Sequence, residues 1–205
     1  NLKDQLSDWN QLATAGSNAQ SGTVFALQEA VREAAKINAN SPLYDKAQEL
    51  MGRWKLEIED VAHLTQARQL AQSGTINNLN AAIAEAQLVP RFNPRYQEAQ
   101  GKIQDWTRQI QTTEDRPILN RATELARLEN VDAWQQAIAQ ASLINPNRAL
   151  YREAQNQIGK WRSNIEQEED RPFLDQAVAL ANGGNFAAAI ETAQQIRQGR
   201  VLYSE

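Results

Sequence analysis

Apolar and polar positions recur along the chain with a long, regular period. Between Leu150 and Leu174, Tyr151, Ala154, Ile158, Trp161 and Ile165 fall at i, i+3, i+7, i+10 and i+14, one stripe of a helix. Residues 95–119 carry nearly the same wording, and residues 43–58 a blurred version of it. Trp54, Trp106 and Trp161 are 52 and 55 residues apart, each ten residues after a tyrosine (Tyr44, Tyr96, Tyr151). Two further segments lie between successive Tyr–Trp helices. One has the form Leu-x-x-Ala-x-x-Leu-Ala, at 64–71, 119–126 and 174–181. The other is a short helix anchored at Leu27-Val31-Ala34-Ile37, Leu79-Ile83-Ala86-Val89, Trp134-Ile138-Ala141-Ile144 and Phe186-Ile190-Ala193-Ile196.

A period of this length predicts supersecondary units that bury their stripes by stacking on one another. The expected fold is all-α: an α-solenoid of stacked helical hairpins repeating every 52–55 residues. It forms one domain over 1–205, with units near 1–41 (partial), 42–92, 93–146 and 147–201. Leu202–Tyr203 reads as the opening of another unit. Leu6, Trp9, Leu12, Ala13 and Gly16 align with Leu64, Ala67, Leu70, Ala71 and Gly74, so the segment reads as part of a longer array.

Turn residues place the boundaries. Gly16, Gly74 and Gly183–Gly184 stand where a helix ends in a left-handed residue, and Asn130 takes that place in the copy without glycine. Pro42, Pro90, Pro94 and Pro146 separate each short helix from the next Tyr–Trp helix. Residues 10–23 read as an extended loop. At Glu114-Asp115-Arg116-Pro117 and Glu169-Asp170-Arg171-Pro172, an Asp suited to N-capping precedes a Pro suited to a first turn. The expectation there is a helix break or sharp kink. The earlier junction at Asp60 lacks Pro and is three residues shorter, so one helix is expected from about Pro42 to Gln72.

Composition bears on function. With 21 basic and 25 acidic residues the net charge is −4, both signs are interspersed, and no basic block exists to attract nucleic acid or an anionic membrane. No apolar run approaches the roughly 20 residues that span a bilayer. The absence of Cys excludes disulfides, zinc thiolates and thiol catalysis, and leaves the compartment open. His63 is the only histidine, and no phosphate-cradling loop, nucleophile elbow or metal-ligand cluster is present. No cofactor, metal or catalytic residue is therefore expected. The tyrosines and tryptophans could form a ladder for a stacked ligand, but their place on the apolar stripe makes them core residues. Glu166, Glu168, Glu169 and Asp170 read as a solvated face near a helix terminus.

The run Leu174-x-x-Ala177-x-x-Leu180-Ala181-x-x-Gly184-Asn185-Phe186-x-x-Ala189-Ile190-x-x-Ala193-x-x-Ile196 resembles the tetratricopeptide hairpin. The additional Tyr–Trp helix lengthens the period beyond the mid-thirties of that family. The resemblance implies a groove that binds a peptide or protein, lined by the Leu–Ala helix. In the middle unit Arg116, Asn120, Thr123 and Arg127 are spaced by four, three and four residues, along one face opposite the buried leucine. By the same resemblance, this row and Arg171 would clamp an acidic segment or a terminal carboxylate; the alternative is a solvated face, or Arg116 and Arg171 bonded to nearby carboxylates as structural braces. The expected function is a non-catalytic interaction scaffold. The alternatives are a structural spacer and self-association through the repeat ends.

Overall fold

A computed structural model describes residues 2–204 of the chain. Among the described residues there are eight α-helices, α1 (Leu2–Ala19), α2 (Val24–Ala34), α3 (Tyr44–Ala71), α4 (Ile76–Ala86), α5 (Tyr96–Ala126), α6 (Val131–Ala141), α7 (Tyr151–Asn182) and α8 (Phe186–Ala193), then a 3-10 turn at Val201–Ser204. Long helices alternate with short ones, and consecutive helices pack as neighbouring pairs. The fold is all-α, built from stacked helical hairpins at the period seen in the sequence.

Local chemistry sets each short helix. Thr23, Thr75, Asn130 and Asn185 share one register position, and each side chain accepts a hydrogen bond from the backbone N–H three residues on. The residue before each cap is left-handed: Gly22 (φ 61°), Gly74 (φ 66°), Glu129 (φ 49°) and Gly184 (φ 83°). Two expectations are corrected. Asn130 caps α6, and Glu129 adopts the left-handed conformation that glycine supplies in the other copies. Gly16 lies inside α1, and Gly22 ends that helix.

The second correction resets the frame of the first repeat. Residues 10–19 are helical, so the anticipated extended loop shrinks to the few residues around Gly22. With Gly22 matched to Gly74, Leu12 and Ala15 fall opposite Leu64 and Ala67, and all four are buried. Leu6 and Trp9 lie outside the stripe, and Trp9 is 61% exposed. The misalignment arose from a glycine that chance places within the last turn of the helix.

The long helices hold the main departure. Helix α3 runs unbroken from Tyr44 to Ala71, close to the expected limits. Helices α5 and α7 also run unbroken, with Pro117 and Pro172 in their interiors, so the break expected at Asp-Arg-Pro does not occur. The Tyr–Trp and Leu–Ala segments are two halves of one helix, and the repeat is a long–short hairpin. An interior proline costs about 3 kcal/mol through a lost hydrogen bond and a steric clash. In α7 that cost is opposed by burial on both sides of the proline, through Ile158 and Trp161 before it and Ala177 after it. Asp115 and Asp170 are not caps, because an arginine from the following loop engages each of them.

The chain divides into two compact units between Ile110 and Gln111, a position within α5. The first contains two cores. One joins Leu12 and Ala15 of α1, the stripe of α2, and Ala47, Met51 and Trp54 of α3. The next joins Leu64 and Ala67 of α3, the stripe of α4, and Ala99, Trp106 and Ile110 of α5. The second unit repeats the recipe with Leu119, Ala122 and Ala126, then α6, then Ala154, Ile158 and Trp161 of α7. Each core thus takes the C-terminal half of one long helix, a short helix, and the N-terminal half of the next long helix. Trp54, Trp106 and Trp161 are core residues, as their register predicts.

Candidate functional site

Arg116, Asn120, Thr123 and Arg127 share a face of α5, at about 100° of rotation per residue. That face adjoins the buried stripe of Leu119, Ala122 and Ala126 at about a quarter turn, where the sequence suggested the opposite side. Asn120, Thr123 and Arg127 are exposed and Arg116 is half-buried. The Arg116 guanidinium grips the Glu153 carboxylate with two hydrogen bonds, of 2.6 and 3.1 Å. These bonds raise the Arg116 pKa above its ordinary value, so the side chain stays cationic. Arg127 pairs with Glu124 one turn back at 3.0 Å, and the Thr123 hydroxyl donates to the Leu119 carbonyl. Arg171 is exposed on α7. Its register partner, equivalent to Glu153, is Glu205, which lies outside the described residues.

A second set of charged residues sits midway along each long helix. Asp60, Asp115 and Asp170 are the buried charged residues of the chain as described, and they occupy one register position. Each is engaged by the loop that leads into the next long helix. Asn93 Nδ2 donates to Asp60 at 2.8 Å, and the Arg95 backbone N–H donates to the other carboxylate oxygen. Arg148 makes a two-pronged pair with Asp115, at 2.7 Å from Nε and 2.8 Å from Nη2, and also reaches Glu114 and the Gln111 carbonyl. Arg200 binds Asp170 from Nε at 2.5 Å and reaches Glu169 and the Glu166 carbonyl. The pKa of Arg148 is raised by the hydrogen bonds to Asp115 and Glu114, and that of Arg200 by those to Glu169 and Asp170. A buried carboxylate stripped of water costs several kcal/mol unless donors replace the lost hydration. These brackets supply the donors, and no buried side-chain polar atom among the described residues lacks a partner.

Sequence reasoning missed the bracket arginines, although a signal was present. Asn93, Arg148 and Arg200 each stand four residues after the last apolar anchor of a short helix (Val89, Ile144, Ile196). His63, half-buried, places Nδ1 2.7 Å from Glu85 of α4, a local tie between α3 and α4. Among the described residues no group of three His, Cys, Asp or Glu side chains could hold a metal ion. No helix among the described residues is long and apolar enough to cross a membrane.

The arginines therefore fall into two kinds. Arg148 and Arg200 are committed to buried carboxylates and backbone carbonyls, whereas Arg116 and Arg127 pair with exposed carboxylates on the surface. Comparison with known proteins found no matching family model, no matching curated protein and no matching solved structure.

Proposed function

We propose that the chain is a non-catalytic interaction scaffold, which takes an acidic peptide segment or a C-terminal carboxylate on the row Arg116, Asn120, Thr123 and Arg127, with Arg171 in the equivalent place one repeat on. The observation that carries this reading is the nature of the ion pairs on the row. The side chains of Arg116–Glu153 are 42% and 46% exposed and those of Arg127–Glu124 72% and 62%, and such solvent-accessible pairs are worth about 0–1 kcal/mol. A partner carboxylate can replace either glutamate at little cost, and Asn120 and Thr123 add neutral hydrogen-bonding groups between the two cations. Arg148 and Arg200 are not available in this way, because withdrawing either would leave a buried carboxylate unpaired. The likeness of the Leu–Ala half and the short helix to the tetratricopeptide hairpin supports the same reading, since groove binding of peptides is what that resemblance implies.

Fluorescence anisotropy with a labelled Asp/Glu-rich peptide bearing a free C-terminal carboxylate tests the assignment. The expected result is saturable binding, weakened at least tenfold in the Arg116→Glu/Arg127→Glu double variant, with the thermal midpoint preserved. Equal binding by the native and charge-reversed chains would rule the row out.

A further inference from the structure

The bracket that closes the later repeats is open in the first one. In register, Asp8 of α1 stands opposite Asp60, Asp115 and Asp170. Ser41, four residues after the anchor Ile37, stands where Asn93, Arg148 and Arg200 supply their donors. A serine is too short to reach as those side chains do. The Leu43 N–H, counterpart of the Arg95 N–H that donates to Asp60, donates instead to Ser41 Oγ at 3.3 Å. Asp8 is half-buried and makes no hydrogen bond or ion pair with a described residue. Asp8 and Ser41 line one cavity of about 530 Å³, together with Asp4, Gln5, Asn38 and Asn40. Each later Asp takes its donors from the loop that follows it, and here that loop lies wholly within the described chain. The opening therefore follows from Ser41 itself.

We infer that this cavity is a binding site for the guanidinium of an arginine on a partner protein. Two copies of the bracket show the occupant. Arg148 clasps Asp115 through Nε and Nη2, and Arg200 holds Asp170 through Nε. Each guanidinium also takes a backbone carbonyl four residues earlier on the long helix, from Gln111 and Glu166. The residue in that register position of α1 is Asp4, which lines the cavity and brings a second carboxylate. A planar fork of donors suits such a site, and the point charge of a lysine suits it less. The exposed Trp9 indole adds to the preference, because it borders an adjoining cavity that shares Gln5, Ser41 and Pro42, and offers a face on which a guanidinium can stack. Its register counterparts Val61 and Arg116 are surface-accessible as well, so the position faces outward in other repeats too. The site takes a cation and is thus opposite in charge preference to the basic row of α5.

The probe is acetyl-arginine amide, titrated into the nitrogen-15-labelled intact chain and followed by the Trp9 indole N–H and the side-chain amides of Asn38 and Asn40. Saturable shifts at these groups are expected, with acetyl-lysine amide binding more weakly. Asp8→Asn should weaken the arginine probe about tenfold or more and leave the thermal midpoint in place. Ser41→Arg supplies the missing side chain from within. It should close the bracket as Arg148 does, raising the thermal midpoint and abolishing the shifts. The Arg116→Glu/Arg127→Glu variant should bind the probe as the native chain does, so this site and the acidic-segment site stand or fall apart. Absence of saturable shifts, or unchanged binding by Asp8→Asn or Ser41→Arg, overturns the inference. Equal binding of the lysine probe overturns the assignment to a guanidinium. A concentration-dependent dimer lost in Asp8→Asn also overturns it, since a second copy would then supply the cation.

Discussion

Trp161→Ala is expected to destabilise the second unit by about 3–5 kcal/mol, the range for truncating a large buried aromatic side chain. Trp161 is 6% exposed and joins Ile158, Trp134 and Leu119 in one core, so its removal leaves a cavity between α6 and α7. Urea denaturation followed by far-ultraviolet circular dichroism measures the loss. Trp9→Ala is the internal control. At 61% exposed and outside any core, it should change stability by no more than about 0.5 kcal/mol. A Trp161→Ala chain with an unchanged midpoint would show that the tryptophans are not core residues and would reopen the ligand-ladder reading.

The second large effect concerns the bracket. Arg148→Ala removes the cation facing Asp115, whose side chain is 7% exposed, while Arg148 itself is 27% exposed. Breaking a buried pair from one side typically costs 3–5 kcal/mol, and partial solvation of the arginine brings the expected loss to about 2–3 kcal/mol. Arg116→Ala, which breaks only an exposed pair, should cost about 1 kcal/mol or less. The combined Asp115→Leu/Arg148→Met variant separates pairing from burial. With no charge stranded, it should recover most of the stability that Arg148→Ala loses. If Arg148→Ala and Arg116→Ala proved equally mild in denaturant titrations, the bracket would have no special part in closing the repeat.

The repeat period, the helical class and the membership of the cores were legible in the sequence, because they depend on local spacing. Tyr, Ala, Ile and Trp at helical intervals predict the same stripe whatever lies around them. Misreadings arose where a residue's role depends on a partner far along the chain. Asp115 before Pro117 has the signature of a helix start, yet its carboxylate belongs to Arg148, 33 residues later. That partnership, with packing on both sides of the proline, turns an apparent boundary into a continuous helix. Gly16 misled for a different reason. A glycine in the right neighbourhood outweighed the better signal, the capping Thr23 that matches Thr75. Glu129 shows a third limit, since nothing local marks a glutamate for a left-handed conformation, and only its register with Gly74 and Gly184 does so. The basic row on α5 was visible as a spacing, but the sequence could not reveal which arginines were already held by buried carboxylates.

The repeat as a long–short hairpin rests on the continuity of the long helix through Asp-Arg-Pro, and α7 allows a direct measurement. The chain has no cysteine, so Lys160→Cys and Val178→Cys would carry the only spin labels, at exposed positions on either side of Pro172. A separation of 18 residues is about five turns, so both labels face the same way, about 27 Å apart at 1.5 Å per residue. Pulsed dipolar spectroscopy should give one narrow distance distribution near 27 Å, broadened only by the label arms. A distribution centred well below that value, or one split into several, would mean that α7 breaks at Glu169–Pro172 and that the repeat has three helices.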